Sequence, residues 1–298
     1  MMTWPYQVTI TTAEAGMALK DQLVRWHVPR RIRGNLRMRQ AVLINGHYQH
    51  TGTILQAGDV VTFNFIDDDF VTPTSNYAID NSVKVPVIFE NKDLLVVNKP
   101  AGYKTHPNYQ GEMNTVMNFV AAYLASHNQQ PYIIHRLDQA TSGALIIAKN
   151  PIVVPILNQL IANKIIKRTY LAWVSGAITT TTGTIDVPIG HDLTDPRKRQ
   201  VNGDQALPAI THWTKVHSVF QNTLVRLQLE TGRTHQLRVH LASIGHPIIG
   251  DPLYNSLTKA DEPMLLHSAQ VELHIPFSSQ IVNLSAALPA HFPVNLKR

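Results

Sequence analysis

The segment HRLDQATSGALIIAKN, residues 135–150, carries the residue types best suited to chemistry. A carboxylate, Asp138, sits among His135, Arg136, Thr141 and Ser142 in a polar loop that runs through Gly143 into the apolar stretch ALIIA. A carboxylate at the end of a buried strand is held rigidly while it faces a cleft. A second unusual segment is GRTHQLRVH, residues 232–240. Here Gly232 permits a tight turn and Arg233 stands at a helix start, where the helix dipole does not favour a cation. A carboxylate partner would compensate that placement. Taken alone, Asp138 also fits a turn or cap, Arg233 a surface charge, and His135, His235 and His240 structural histidines.

The elements around these residues follow from periodicity. ALIIA at 144–148 has no polar face and predicts a buried strand. KRTYLAWV sets Thr169, Leu171 and Trp173 against Tyr170, Ala172 and Val174, as in a half-buried strand. LVRLQLE alternates in the same way. NTVMNFVAAYLASH predicts a helix with Asn114 as its cap. A second helix is expected from Asn150-Pro151, with Pro155 disturbing its first turn. THQLRVHLASIG places Leu237, Leu241 and Ile244 at helical spacing before a stop at Gly245. The order is not a regular βαβ alternation, so the pattern predicts an α+β domain around a mixed, largely antiparallel sheet.

The N-terminal part, 1–70, reads as a separate small α/β module. GMALKDQLVRWHV and the basic stretch after Pro29 predict two short helices, and AVLING ends in Asn45-Gly46, a hairpin signal. Between Lys20 and Arg39 there are seven basic residues and one acid, a local excess of six that equals the net charge of the whole chain, +6. Arg30, Arg31, Arg33 and Arg37 are therefore candidates for phosphate contacts, as are Arg197, Lys198 and Arg199 in the 191–199 loop. Residues 71–82, between the module and the part from 83 to 298, read as a linker.

Composition narrows the chemistry. The 298 residues include no cysteine, which removes disulfides, thiolate nucleophiles and cysteine-ligated zinc. The 15 histidines form no His-Glu-x-x-His or similar close cluster, so no metal site is expected. Neither a Gly-x-Gly-x-x-Gly nor a Walker loop occurs, and no cofactor is expected. No apolar run is long enough to span a membrane, and no charged leader opens the chain. Both observations set the expectation of a cytoplasmic protein without a membrane span.

The motifs resemble those of the RluA family of pseudouridine synthases. HRLDQATSG matches that family's His-Arg-Leu-Asp-x-x-Thr-Ser-Gly hallmark without departure. NKPAGYKTHP at 98–107, KRTYLAWVSG, GRTHQLRVHLASIGHPIIGDPLY and LLHSAQVELHIPF resemble its other blocks, in family order, across roughly residues 85–292. The stretch 1–65 resembles the S4-like RNA-binding module often fused to it. It departs from the usual pattern, with Pro29-Arg30-Arg31 where a serine-arginine pair is common.

The resemblance implies a cofactor-free isomerase that turns uridine into pseudouridine in structured RNA, large-subunit ribosomal RNA ahead of transfer RNA. No obligatory protein partner is implied. It also implies roles. Asp138 is the nucleophile, Tyr170 packs against the base, Arg233 pairs with Asp138, and Leu237 forms an apolar wall. Arg136 enters the RNA helix when the target flips out, with His135 beside it. Lys99 and Pro100 shape the site. A catalytically silent RNA-binding protein and an N-glycoside hydrolase are the rival readings, the latter needing a second working carboxyl group.

Overall fold

A computed structural model describes residues 2–293; the last five residues of the 83–298 part lie outside the described residues. The chain begins with a four-stranded antiparallel sheet made of β1 (Thr3–Thr9), β2 (Val42–Ile44), β3 (His47–Tyr48) and β4 (Val60–Ile66), in the order β1-β4-β2-β3. Two short helices, α1 (Leu19–Arg25) and α2 (Arg30–Met38), fill the space between β1 and β2. Asn45 and Gly46 both adopt positive φ, 52° and 83°, the backbone that a two-residue hairpin turn requires between β2 and β3. Ile32 and Leu36, one helical turn apart, anchor α2 and leave Arg30, Arg31 and Arg37 outward.

The larger part is built on one ten-stranded sheet. Its strands are β5 (Val87–Glu90), β6 (Leu94–Lys99), β7 (Tyr132–Ile133), β8 (Ser142–Ala148), β9 (Lys167–Ser175), β10 (Thr182–Asp186), β14 (Ile210–Val219), β15 (Asn222–Leu229), β16 (Leu266–His274) and β17 (Ile281–Ser285). The main path runs β10-β14-β15-β9-β16-β8-β6-β5, with β17 on β16 and β7 on β8. Three short strands, β11 (Ile189–His191), β12 (Arg199–Val201) and β13 (Asp204–Leu207), form a separate small sheet. Every pairing is antiparallel except β16 with β8, so the sheet is mixed and largely antiparallel, as the sequence pattern implies.

That parallel contact explains a glycine. Gly143 adopts φ +110°, and a Cβ there would lie 2.2 Å from the Ser268 carbonyl oxygen. Only glycine lets β8 leave the Asp138 loop this close to β16.

Both faces of the sheet are covered. Leu95, Val97, Leu145 and Ile147 face α3 (Val116–Ala125) and α5 (Gln236–Ser243), while Leu94, Val96, Ala144 and Ile146 face α4 (Val154–Ala162). Two helix starts differ from the sequence expectation. Thr115, not Asn114, caps α3 by accepting the Asn118 N–H, because Asn114 is held in a left-handed turn at φ 61°. Helix α4 begins at Val154, so Pro155 falls in its first turn, where the missing N–H has no helical partner to lose. The side chain of Asn150 caps the preceding turn at Ile152 and Val153.

The N-terminal module shares a continuous core with the large sheet. Tyr6, Trp26 and Phe63 surround Phe277, with ring centroids 4.7, 5.7 and 5.4 Å away. The Tyr6 hydroxyl donates to Asp93 at 2.7 Å in a buried position, and burial beside that carboxylate raises the phenol far above its ordinary pKa. Residues 71–82 contain neither helix nor strand, but they are strapped down. Tyr132 donates to the Pro73 carbonyl, Ser75 to Pro131, and Asn118 to Ala78.

Candidate active site

The loop bearing Asp138 is gripped on both flanks by the end of β6 and the segment that follows it. Lys99, fully buried, donates to the carbonyls of Pro100, Gln139 and Thr141 at 3.1, 3.1 and 2.7 Å. Burial pushes the Lys99 ammonium down to about 7, with the negative charge of Asp138 opposing the shift. The Thr105 hydroxyl donates to the Leu137 carbonyl at 2.7 Å and accepts the Leu137 N–H at 3.0 Å. The Thr141 N–H closes the turn on the Asp138 carbonyl at 3.0 Å. Five of these hydrogen bonds fix the backbone around one carboxylate, whose side chain is 18% exposed.

The cation facing Asp138 is Arg238, not Arg233. Arg238 Nη1 lies 3.5 Å from Asp138 Oδ2, while Nε and Nη2 donate to Asp251 at 2.7 and 2.8 Å. Burial works against its charge, but Asp251 and Asp138 together outweigh it and hold the guanidinium above the ordinary arginine pKa. Arg233 is exposed and donates from Nε to the Pro208 carbonyl. The reason is the true start of α5. Gln236 takes the Arg233 N–H on its side chain, and the left-handed residue of the turn is His235 at φ 57°, not Gly232. Arg233 therefore precedes the helix, whereas Arg238 lies inside its first turn on the buried face.

A cavity of about 550 Å³ opens beside Asp138. Tyr170, Leu237, Arg168 and Leu266 line it, with Arg233 at the same opening. Tyr170 is 4% exposed and packs in the core cluster that holds Leu137, Leu227 and Leu237. Its hydroxyl has no hydrogen-bond partner among the described residues. The alternation along β9 holds, since Tyr170, Ala172 and Val174 share that cluster while Trp173 and Leu171 belong to another.

His135 borders this cavity but serves the sheet. Its Nε2 accepts the Ile146 N–H at 3.0 Å, covering β8 between its partners β7 and β16. Burial, with Arg168 nearby, pushes its imidazole down to about 3. Arg136 is exposed and lies beside both this cavity and a second one of about 920 Å³. Pro100 contributes its carbonyl to Lys99. Glu230 also borders the first cavity, but its carboxylate is bound by Lys164 at 2.6 Å and His212 at 2.7 Å, which hold it below the usual range. Among the described residues no group of three or more His, Asp and Glu is placed to hold a metal ion, and no helix is long and apolar enough to cross a membrane.

The basic cluster of the module is divided. Arg30 and Arg37 are exposed, whereas Arg31 donates to the Asp68 and Asp69 carbonyls and Arg33 is partly buried. Arg39, outside the candidate set, pairs with the buried Asp69 at 2.6 Å.

Residues 93–243 match the family described as RNA pseudouridylate synthase, and residues 6–61 match the RluD ribosomal pseudouridine synthase N-terminal domain. The chain belongs to the RNA pseudouridylate synthase family. The synthase is 36% identical over 256 residues to the uncharacterised RNA pseudouridine synthase YhcT of Bacillus subtilis, covering 84% of this chain and 82% of that protein. It is also 36% identical over 220 residues to the ribosomal large subunit pseudouridine synthase D of Nitrosomonas europaea, covering 70% and 63% respectively. Human RNA pseudouridylate synthase domain containing 4 has a similar structure, with a TM-score of 0.57, 25% identity, and coverage of 70% of this chain and 90% of the other.

As an RNA-modifying isomerase, the synthase uses an α+β catalytic domain of the expected kind. Sequence reasoning missed Arg238, Asp251 and Thr105. The signal for Arg238 was present, since a charge at position 238 falls beside Leu237 and Leu241 on the apolar side of the helix and needs a buried acid.

Proposed function

We propose that the protein isomerises uridines of large-subunit ribosomal RNA to pseudouridine in the cytoplasm, with Asp138 as nucleophile. The observation that carries this reading is the Asp138 carboxylate, 3.5 Å from Arg238 and facing a cavity that Tyr170 and Leu237 also line. The reaction breaks the bond between ribose C1′ and uracil N1, turns the base, and joins C1′ to C5. N1 gains a proton and C5 loses one, so no redox partner is needed. Asp138 meets the electron-poor centre, and Arg238 sets a positive charge beside the carboxylate. Tyr170 stacks on the base, and its unpartnered hydroxyl is available to the C5 proton. Flipping the target out of its stack costs a few kcal/mol, recovered from the cavity and from phosphate contacts.

Support for the ribosomal target comes from the N-terminal match and from relatives named as large-subunit enzymes. The hydrolase alternative is disfavoured because Glu230, the other carboxylate at the cavity, is tied to Lys164 and His212. The test is pseudouridine mapping across all cellular RNAs of a strain lacking the protein, complemented with wild type or Asp138→Asn. The expected result is loss of pseudouridine in large-subunit ribosomal RNA, restored by wild type alone. Loss confined to transfer RNA would overturn the target, and restoration by Asp138→Asn would overturn the nucleophile.

A further inference from the structure

Asp138 stands on a ridge. The first cavity and the larger second cavity share one wall, made of Arg136, Leu137, Asp138, His235 and Arg238. We propose that the second cavity is a subsite for the nucleotide adjacent to the target uridine and that it discriminates among bases there. This rests on the uridine isomerisation proposed above.

The argument starts from occupancy. Tyr170 and Leu237 line the first cavity only, so the target uracil fills that side and its C1′ comes to the ridge at Asp138. The ribose-phosphate chain must then pass over the ridge beside the exposed Arg136. A neighbouring nucleotide arrives at the mouth of the second cavity. At about 920 Å³ that space is within the range of small-ligand sites, roughly 300–1,000 Å³.

Its lining suits a base better than a phosphate. Leu253, Pro263 and Met264 give an apolar surface against which a base can stack. Asn108 lines the same space, and its side-chain amide makes no hydrogen bond to any described residue. His106 is kept below the usual histidine range by burial and by the charge of Arg136, so at neutral pH its ring is uncharged, and with Nδ1 buried it is Nε2 that is left for a base. Neutral groups such as these match the edge of a base. The carboxylates of Asp261 and Glu262 stand on the same lining together with Lys104, Arg136 and Arg197, so its charge is mixed and the neutral groups set its preference.

The surfaces are also fixed in advance. Glu112 accepts the Asn108 N–H and pairs with Lys104, and Asp251 Oδ1 accepts the Leu253 N–H at 2.9 Å. Enzymes that extrude their target base draw substrate choice from contacts to the flanking nucleotides, and a rigid pocket sharpens that choice.

The test uses a transcript spanning the uridine found by the mapping above, with the nucleotides on either side randomised. Wild-type protein, Asn108→Ala and Leu253→Ala are each incubated with the pool, and pseudouridine is read against flanking sequence. Wild type is expected to prefer one base or base class at one flanking position by about fivefold or more, the order of one stacking contact. Each variant should reduce that preference below about twofold at that position alone, while the other flank keeps its pattern. The two substitutions lie in separate segments, so misfolding of one, seen as lost thermal unfolding, leaves the other to decide. A wild type indifferent to both neighbours, or folded variants that keep the full preference, would overturn the subsite. Absence of any mapped uridine would instead remove the underlying isomerase reading, and the subsite with it.

Discussion

Arg238 divides its guanidinium between two carboxylates, giving Asp251 two nitrogens at 2.7 and 2.8 Å and Asp138 one at 3.5 Å. The tight pair fixes the fork, and the longer contact leaves the Asp138 carboxylate available for reaction. Arg238→Ala should lower single-turnover rates by at least about a hundredfold. It should also destabilise the fold by about 3–5 kcal/mol, because Asp251 would be left as a buried unpaired charge. Arg233→Ala should leave stability unchanged and weaken RNA binding only a few-fold. Thermal unfolding and single-turnover assays of both variants, run side by side, check the assignment. A larger catalytic loss from Arg233→Ala would reverse it.

Asp138→Asn should abolish turnover and retain the fold and RNA affinity. The backbone of its loop is held by Lys99, Thr105 and Thr141 rather than by its own side chain. Affinity measured by filter binding, together with pseudouridine formation, tests this. Measurable turnover by uncontaminated variant protein would rule out the nucleophile.

Tyr170→Phe should preserve packing, since it keeps the ring in the core cluster and removes a hydroxyl without a hydrogen-bond partner among the described residues. Binding should survive while the chemical step slows by about ten- to a thousandfold, the scale of one acid–base group. Near-normal single-turnover rates would confine Tyr170 to stacking.

The His135 ring ties stability to acid. Its ordinary value is 6.5, and burial lowers it to about 3 in the folded chain. As pH falls below 6.5 the unfolded chain takes up a proton that the folded chain refuses, so stability is lost progressively between 6.5 and about 3. Melting temperatures measured from pH 7 to pH 4 should therefore fall. His135→Gln keeps an acceptor for the Ile146 N–H but no titrating ring, and its profile should be flatter. Equal slopes in the two proteins would exclude His135 as a source of the acid sensitivity.

Much of the site was legible because its residues lie on elements with strong periodicity. The all-apolar 144–148 run identified β8, and the alternation around Tyr170 identified β9 and its inward face. The Arg233 pairing was misread because it depended on where α5 begins. A left-handed His235 ends the turn three residues later than a glycine at 232 suggests, and helix ends are set by local turn geometry rather than by periodicity. The role of Lys99 was legible only as shape. Its three carbonyl partners come from residues 100, 139 and 141, and sequence does not report that convergence.

The N-terminal part, 1–70, reads from sequence as a separable module that could be deleted without harm to the rest. The shared aromatic cluster points to a different outcome. Deletion should expose Phe277 and the apolar residues around it, giving an aggregation-prone product with a lowered melting temperature. Phe277→Ala in the full chain should cost about 3–5 kcal/mol. A soluble truncated protein that melts at the wild-type temperature would show that the interface contributes nothing.

A tethered module reaches its target by diffusion within the volume its linker allows, so its benefit is set by linker length and stiffness. The Tyr6–Asp93 hydrogen bond and the ring cluster on Phe277 remove that search. The span from Arg30 and Arg37 to the Asp138 carboxylate becomes a fixed measure, like the jaws of a gauge. An RNA fold that misses that span gains nothing from extra slack in residues 71–82. The entropy of fitting the two surfaces falls on the RNA, which favours substrates already folded to the required dimension.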